Sequence, residues 1–297
     1  VVFIMKRLFS FIIAGLLAIS IVGCSNNANN DGEFDTSRTI NVITREDGSG
    51  TRGAFTEIVG ILEKGPDGEE KDRTYIEAVV QNSTDAVMTS VAGDEYSIGY
   101  ISLGSLNDSV KAVKVDGVEA TAENIQNGSY KIARPFNIAY KGELNPLAQD
   151  FINFILSEEG QKIVVDTGYV QVSNELTSYE KGEEMEGTLV VAGSTSVTPL
   201  MEQLAEAYKE IHPKVSIEIQ STGSSAGIQA AIEGTADIGM ASRELKESEL
   251  AELTAQVIAM DGIAVIVNKN NPIENLTLEQ IKDIYIGEIT EWNGVIE

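Results

Sequence analysis

The sequence is poor in the residues on which several common kinds of site depend. It has one cysteine, Cys24, and one histidine, His212, in 297 residues. An internal disulfide needs two cysteines, so none can form within these residues. Zinc sites are built mainly from cysteine and histidine, so a zinc site is almost excluded as well. His212 precedes a proline at a predicted helix end, where it suits an interaction with the helix dipole better than the role of a base in a Ser-His-Asp mechanism.

Basic residues are also scarce. Lysine and arginine number 21 against 46 aspartate and glutamate residues, which gives a formal net charge of -25. Nucleic acids and other polyanions are bound by clustered lysine and arginine, so we expect no nucleic-acid partner. A single small anion is not excluded, because a buried site acts through its local hydrogen-bond donors. The main effect expected of the overall negative charge is to keep an exported protein soluble.

Long apolar runs are absent after the N-terminal segment, so the body of the chain is not expected to cross a membrane. The N-terminal segment has a short basic start and an apolar run from Leu8 to Val22. That run is short for a membrane span, which needs about 20 apolar residues. The pattern therefore predicts a secretory signal over residues 1–24.

The end of this segment indicates a lipid anchor. Ile-Val-Gly-Cys, ending at Cys24, resembles a bacterial lipobox, in which the cysteine is lipidated and becomes the mature N-terminus. The alternatives are an uncleaved signal anchor and an incidental cysteine. Residues 25–35 are mostly polar, so they predict a flexible tether that holds a folded body away from the membrane.

The rest of the chain alternates between short apolar runs and amphipathic segments. Strands are predicted at 40–44, 97–101, 132–140, 189–191, 215–219, 237–240, 257–260 and 263–268. Helices are predicted at 52–62, 147–155, 158–165, 197–211, 226–233 and 278–285. This alternation is typical of an α/β architecture with a mainly parallel sheet. The charged run 175–186 predicts a linker between two halves, and residues 63–73 predict a surface loop.

Three segments combine glycine with serine or threonine between a predicted strand and a predicted helix. They are Gly48-Ser49-Gly50-Thr51, Gly193-Ser194-Thr195-Ser196 and Gly223-Ser224-Ser225-Ala226-Gly227. A helix N-terminus presents unpaired N–H groups and the positive end of the helix dipole, glycine lets an anion approach the backbone, and hydroxyls add donors. One such loop is equally well a helix cap. Three of them, each at the carboxyl end of a strand, favour a shared anion site.

Arg45 adds a positive charge to the first of these loops, because it stands at the end of the predicted strand. Its planar guanidinium can bind two oxygens of one anion, and Asp47 is placed to hold it. The alternative is a surface ion pair worth about 0–1 kcal/mol. None of the three loops carries the lysine that a nucleotide-binding P-loop has after its last glycine.

Several segments resemble the phosphate-binding proteins of phosphate ABC transporters. Residues 187–200 (GTLVVAGSTSVTPL), 222–228 (TGSSAGI), 236–244 (ADIGMASRE) and 261–292 resemble the earlier part of that family, and residues 40–55, 80–91, 98–103 and 151–172 resemble its later part. The two parts stand in reversed order here, which indicates a circular permutation; a fragment of a tandem duplication is the alternative. Domain ends often lie close together, so a permuted chain can keep its fold.

The resemblance implies a two-lobed, periplasmic-binding-protein-like α/β fold of type II, with the ligand in the cleft between the lobes. One lobe would comprise residues 131–267, including the linker 175–186. The other would combine residues 36–130 with residues 268–297. The chain would cross between the lobes near residues 129–134 and 261–268.

The resemblance also assigns ligand-binding roles. The residues expected to bind phosphate are Arg45, Ser49, Gly50, Thr51, Thr195, Ser196 and Ser224. Asp47, Ser242 and Arg243 are expected behind them, with Asp47 holding Arg45 in place. Arg243 departs from the best-known form of the family, which has an acidic residue there to accept the proton of phosphate, because arginine accepts no hydrogen bond. Ser242, through its hydroxyl, or a carboxylate elsewhere in the chain would then distinguish phosphate from sulfate.

The expected function is that of an extracytoplasmic solute-binding lipoprotein. It would close its lobes on inorganic phosphate and deliver it to an ABC permease and its ATPase, with no cofactor, no metal and no catalytic residue. The alternatives are a phosphate or oxyanion sensor or adhesin on the same fold and a hydrolase of phosphoesters.

Overall fold

The structure is a computed structural model that describes residues 34–65 and 70–296. The predicted signal, Cys24 and all but the last two residues of the predicted tether lie outside the described residues. From Phe34 onward the chain forms one compact unit. Among the described residues, no helix combines the length and the apolar character that a membrane span requires.

Helices and strands alternate along the described residues. The α-helices are α1 (Gly50–Val59), α2 (Thr84–Gly93), α3 (Ala122–Gln126), α4 (Pro146–Leu156), α5 (Glu158–Asp166), α6 (Thr198–Ile211), α7 (Ser224–Glu233), α8 (Glu247–Leu250) and α9 (Leu278–Tyr285). The strands are β1 (Asn41–Arg45), β2 (Leu62–Lys64), β3 (Glu70–Asp72), β4 (Val79–Gln81), β5 (Ser97–Ser102), β6 (Lys111–Ala112), β7 (Lys114–Val115), β8 (Ala133–Tyr140), β9 (Glu186–Gly193), β10 (Lys214–Ser221), β11 (Ile238–Ala241), β12 (Thr254–Val267) and β13 (Asn275–Leu276).

The main sheet has the order β10-β9-β11-β8-β12-β5-β1-β4, with β6 also paired to β12. Its two ends are parallel, but β8 runs antiparallel to β11 and β12, and β5 runs antiparallel to β12. The prediction of a mainly parallel sheet is therefore wrong at its centre. The predicted strands 257–260 and 263–268 are one strand, β12, because Asp261 and Gly262 stay paired with β8 and keep the backbone extended.

The buried apolar side chains include two large core clusters that meet along the central strands. Ile132 and Ile263 belong to one cluster, and Phe136 and Ala259 belong to the other. Core membership therefore changes within a few residues along both β8 and β12. The assignment of residues 131–267 and of 36–130 with 268–297 to separate lobes stays a prediction.

The last described segment packs on the first. The backbone N–H of Asn293 donates to the carbonyl of Thr36 at 2.7 Å, and that of Trp292 donates to the carbonyl of Arg38 at 3.2 Å. The indole of Trp292 is fully buried, and its N–H donates to the carbonyl of Tyr96 at 3.1 Å. Residues that are far apart in the sequence thus complete one core.

Two local differences from the sequence predictions have clear causes. Helix α1 ends at Val59 rather than at Leu62, because Gly60 adopts a left-handed conformation with φ of 78° and caps the helix. Leu62 instead begins β2, which pairs antiparallel with β3, so the predicted surface loop at 63–73 contains a hairpin. Helices α2, α3 and α8 were not predicted.

Candidate functional site

The carboxyl ends of two groups of parallel strands face a common region. Strands β9, β10 and β11 are parallel neighbours, as are β1 and β4. The loops that follow these strands lead into α6, α7, α1 and α2, and carry most of the serines and threonines singled out by the sequence. Because helix N-termini bring unpaired N–H groups and positive dipole ends, the region is suited to negative charge.

Buried hydroxyl groups from these loops meet in one place, which we call the hydroxyl cluster. Its members are Thr51, Thr84, Ser194, Thr195, Ser196, Ser224 and Ser242. The hydroxyl of Thr51 lies 2.9 Å from that of Ser196, so residues from distant parts of the chain are in direct contact. Apart from Thr195, which is half-buried, each member is at most 4% exposed. The cluster is therefore shielded from bulk water.

Ser194, Ser224 and Ser242 form the deepest part of the hydroxyl cluster. Ser194 Oγ donates to Ser242 Oγ at 2.9 Å, and the backbone N–H of Ser242 donates to Ser224 Oγ at 3.2 Å. A Cβ atom at Gly50 would lie 2.4 Å from Ser224 Oγ and 2.8 Å from Ser242 Oγ. Glycine at residue 50 therefore permits the first residue of α1 to approach these hydroxyls.

Ser49 is placed beside the cluster as the N-cap of α1. Its side chain accepts a hydrogen bond from the backbone N–H of Arg52 at 3.3 Å and is 4% exposed. The structure thus brings together all seven residues predicted to bind the anion. Ser49 also serves as a helix cap, so the two interpretations of its loop are compatible.

Arg45 extends from the end of β1 into the hydroxyl cluster. It is 2% exposed, and its Nη2 donates to Thr195 Oγ1 at 3.1 Å. Its Nε and Nη2 also donate to the two carboxylate oxygens of Glu46 at 2.8 and 2.9 Å. Its backbone N–H donates to the hydroxyl of Tyr100 at 3.2 Å, and burial raises the pKa of that phenol. Glu46 and Thr195 therefore hold the guanidinium, and Tyr100 holds the backbone of Arg45.

The prediction that Asp47 holds Arg45 is wrong. Asp47 is 95% exposed and forms an ion pair of 2.8 Å with Arg52. The chain turns at this point, where the backbone N–H of Ser49 donates to the carbonyl of Glu46 at 3.0 Å. That turn directs Asp47 outward and leaves Glu46, whose longer side chain reaches back along β1, as the partner of Arg45.

Arg243 lies beside the cluster but is engaged by a carboxylate. Its two terminal nitrogens each lie 2.8 Å from an oxygen of Glu249, and Nη2 is 3.5 Å from Ser225 Oγ. Burial raises the pKa of Glu249, but hydrogen bonds from Arg243 and from the backbone N–H of Lys246 outweigh burial and leave that pKa below its ordinary value. Arg243 is thus a paired cation next to the site.

Sequence reasoning missed Thr84 and Glu46 as site residues. Thr84 begins α2, and its hydroxyl lies 3.3 Å from Ser196 Oγ and 3.4 Å from Thr195 Oγ1. The signal was present in Asn82-Ser83-Thr84-Asp85, which has the same strand–hydroxyl–helix design without glycine. For Glu46 only the fold shows which carboxylate faces Arg45.

The chemistry available here is that of binding. Hydroxyls, helix N-termini and one guanidinium donate hydrogen bonds, and within the described residues no group of three or more potential metal ligands is placed to hold a metal ion. Residues 223–227 have the Gly-x-Ser-x-Gly spacing of a nucleophile elbow, but such a serine needs a base. His212 is engaged elsewhere, at the end of α6, with its Nε2 2.8 Å from the hydroxyl of Tyr179.

Known proteins with similar sequences cover nearly all of this chain. The family described as PBP superfamily domain matches residues 26–159 and 178–295. Phosphate-binding protein PstS 2 of Streptococcus pneumoniae is 48% identical over 98% of this chain and 99% of its own. Phosphate-binding protein PstS 2 of Streptococcus agalactiae is 48% identical over 98% of each chain.

A solved structure is also similar. The crystal structure of a phosphate ABC transporter, phosphate-binding protein from Streptococcus pneumoniae TIGR4 is 50% identical, with a TM-score of 0.70. The match covers 87% of this chain and 100% of that chain. Because the sequence alignments run nearly end to end, both PstS 2 proteins share the segment order of this chain.

Proposed function

This chain belongs to the PBP superfamily and, within it, to the family of phosphate-binding proteins of phosphate ABC transporters, and we propose that it binds inorganic phosphate and delivers it to an ABC importer. The relatives confirm the family and the α/β fold that the sequence predicts. The relatives are phosphate-binding proteins, and the solved one is that of a phosphate ABC transporter, so the expectation that this chain is not an enzyme is confirmed by the family as well.

The observation that carries the proposal is the convergence of buried hydroxyls around the guanidinium of Arg45. We assign phosphate binding to Arg45, Ser49, Gly50, Thr51, Thr195, Ser196 and Ser224, and add Thr84 and Ser194. Backbone N–H groups and hydroxyls suit the phosphate oxygens, and Arg45 supplies a compensating charge.

The proposed mechanism is closure of two lobes on the anion. Residues 45–84 and residues 194–242 supply opposite sides of the hydroxyl cluster, and they already touch through Thr51 and Ser196. A phosphate ion bound between them would accept hydrogen bonds from both sides. It would therefore favour the closed arrangement, since only that arrangement makes all of these bonds.

Selectivity for phosphate requires an acceptor for its proton, and Ser242 is our candidate. Arg243 cannot accept a hydrogen bond and is paired with Glu249. The hydroxyl of Ser242 is fully buried, accepts a hydrogen bond from Ser194 at 2.9 Å and lies 3.5 Å from the hydroxyl of Ser224. Donation by Ser242 toward Ser224 would leave its second lone pair for the proton of phosphate. Sulfate carries no proton at neutral pH and would not use it.

We further propose that the protein acts outside the cytoplasm, tethered to the membrane through lipidated Cys24 and residues 25–35. The lipobox-like sequence before Cys24 and the polar composition after it support this arrangement. A permease and an ATPase are the proposed partners for delivery.

The order of segments is proposed to be a circular permutation of the family's usual order. The packing of Asn293 and Trp292 on residues 36–38 supports it. In the family's usual order these two segments would follow each other along the chain, so they would have to lie close together. The alternative of a tandem duplication is distinguished by sequencing the gene beyond codon 297.

Calorimetric titration of the exported body with phosphate, sulfate and molybdate tests the proposal. Phosphate should bind with the highest affinity, and replacement of Arg45 by alanine should weaken that binding greatly. If a demonstrably folded protein binds phosphate no more tightly than in the millimolar range, the proposed function is refuted. Unchanged binding by Arg45→Ala would refute only the assigned role of Arg45.

A further inference from the structure

A buried ion pair lies directly behind the site, on the two central strands. Arg134 of β8 and Asp261 of β12 are direct partners in the antiparallel ladder, and Arg134 Nη2 lies 3.0 Å from Asp261 Oδ2. Their side chains are 1% and 0% exposed. The pair lies where the surrounding core changes from one apolar cluster to the other. Removing two charges from water costs several kcal/mol per ion, so the pair is an expensive feature for a core.

The same arginine reaches the loop that carries Ser242. Arg134 Nη1 donates to the carbonyl of Ser242 at 2.9 Å, and the side-chain amide of Asn137, also on β8, donates to the carbonyl of Arg243 at 2.9 Å. Two buried side chains of one strand thus hold two consecutive carbonyls at the end of β11. The position of Ser242 is therefore set by β8 as well as by its own strand.

We propose that Arg134, held in place by Asp261, positions Ser242 in the hydroxyl cluster and thereby sets the affinity for phosphate without touching the ligand. This inference rests on the proposed function. A displacement of Ser242 would disturb two other cluster members, because its hydroxyl accepts from Ser194 and its backbone N–H donates to Ser224. The effect of losing Arg134 would therefore spread through the deepest part of the site.

Geometry favours this role over a purely stabilising one. Nε of Arg134 is buried and has no hydrogen-bond partner in the part of the chain that the structure describes, so the guanidinium is not oriented for the best pairing with Asp261. Burial lowers the pKa of Arg134 and raises that of Asp261, while their mutual attraction opposes both shifts. Each partner favours the charged form of the other, and removal of one alone would leave an unpaired buried group.

The test must therefore remove both charges. The double variant Arg134→Met, Asp261→Asn changes volume little and leaves no lone ion. The matched control is Arg73→Met, Glu63→Gln, which removes a more exposed arginine–glutamate pair of 2.6 Å with the same change in charge. Phosphate affinity is measured by calorimetry and stability by thermal unfolding. We expect the first variant to bind phosphate about tenfold or more weakly, as for loss of a charged hydrogen bond, and the control to bind as the wild type does.

A double-mutant cycle separates positioning from general destabilisation. Ser242→Ala should weaken phosphate binding in the wild type but add little in the charge-free background, since Ser242 is already displaced there. The inference would be overturned if Ser242→Ala weakened phosphate binding by the same factor in both backgrounds. It would also be overturned if the charge-free variant bound phosphate with unchanged affinity. Failure of the wild type to bind phosphate would instead overturn the proposed function.

A second variant covers the case in which the charge-free protein does not fold. Arg134→Lys keeps a charge opposite Asp261, but a single ammonium lacks the planar fork that reaches Asp261 and Ser242 together. We expect it to fold and to bind phosphate more weakly than the wild type. Wild-type affinity in folded Arg134→Lys would count against the inference.

Discussion

Arg45 carries positive charge into the hydroxyl cluster, and Glu46 sets its orientation. Both oxygens of Glu46 accept hydrogen bonds from the guanidinium, and Glu46 is 28% exposed. A bidentate pair of this kind fixes the plane of the arginine as well as its position. Nη2 of Arg45 also donates to Thr195, and in the proposed site the donors left over would face the anion.

Replacement of Glu46 by glutamine is expected to weaken phosphate binding by about tenfold, because one charge-assisted hydrogen bond to Arg45 is replaced by a weaker one and an N–H group faces the other donor. Calorimetric titration with phosphate measures the change. The matched control is Asp47→Asn, which removes the same charge from the neighbouring, 95% exposed side chain. Loss of a negative charge by itself favours anion binding, so an equal gain of affinity in the two variants would show that charge, not orientation of Arg45, controls the affinity.

The residue types of the site could be predicted, but their pairing could not. Glycine, serine and threonine after strands identify helix N-termini from local sequence alone, and Ser49, Thr195 and Ser224 do meet at the cluster. The choice between Glu46 and Asp47 depends on how the backbone turns before α1. A turn of one residue changes which carboxylate faces inward, and no sequence pattern in this stretch determines it.

Helix α1 illustrates how an element positions the site. Its first residue, Gly50, lies against Ser224 and Ser242, whereas Gly53, one turn later, has more room. A Cβ atom at Gly53 would lie 3.5 Å from Cδ of Arg243, an ordinary van der Waals distance. The two glycines of one helix therefore have different structural roles.

Gly50→Ala is expected to lower phosphate affinity by about tenfold or more, because overpacking of this kind costs about 1–3 kcal/mol and displaces the hydroxyls. Gly53→Ala should instead raise the unfolding free energy by about 0.5–1 kcal/mol, since alanine restricts the unfolded chain and favours a helix. Calorimetry with phosphate and chemical unfolding of both variants measure the two effects. Normal phosphate binding by Gly50→Ala would contradict the close approach at this point.

Elements with strong local signals were predicted well, and those defined by distant contacts were not. Helix α9 begins and ends where its apolar period predicts, at Leu278 and Tyr285. The segment 175–186 has no apolar period, yet it is attached to the body. The hydroxyl of Tyr179 donates to Asp150 at 2.6 Å, and the backbone N–H of Met185 donates to Nδ1 of the fully buried His212 at 3.1 Å. Such contacts depend on the tertiary fold and leave no local pattern.

At the scale of the whole molecule, two opposing electrostatic effects set the dependence of stability on pH. The net charge of -25 at pH 7 favours expansion, and it decreases as the pH falls toward the isoelectric point of about 4.3. Burial raises the pKa of Asp94, but hydrogen bonds from Ser97, Tyr96 and Asn41 outweigh burial and leave that pKa below its ordinary value of 3.8. The pKa of Glu249 is likewise below its ordinary value of 4.5.

A carboxylate with a lowered pKa in the folded state stabilises the protein above its unfolded pKa, and this contribution is lost as the pH falls through the folded pKa. As the pH falls from 7 toward the isoelectric point, the repulsion between negative charges decreases and the protein becomes more stable. Below the isoelectric point, the growing positive charge and the protonation of these carboxylates both destabilise it. We therefore expect the unfolding temperature to rise slightly from pH 7 toward about pH 5 and to fall below about pH 4. Differential scanning calorimetry across this range measures the profile. Added salt should reduce the rise, and an unfolding temperature that climbs steadily to pH 3 would contradict the assignment.

The order of segments should be separable from the fold, because the packing of Asn293 on Thr36 brings the last and first described segments together. A rearranged chain would begin at Glu186, run to Ile296, pass through a short glycine–serine connection to Thr36 and end at Ser173. We expect it to bind phosphate within about threefold of the original affinity, since exposed connections tolerate cutting and short loops close at little entropic cost. Its unfolding temperature should be lower, because the contacts of Tyr179 and Met185 with the body are lost. Calorimetry and thermal unfolding measure both quantities.

The matched control is a rearranged chain that is cut within β12, between Met260 and Asp261, and it should not fold. If the first rearranged chain is folded but fails to bind phosphate, the site depends on the segment order itself.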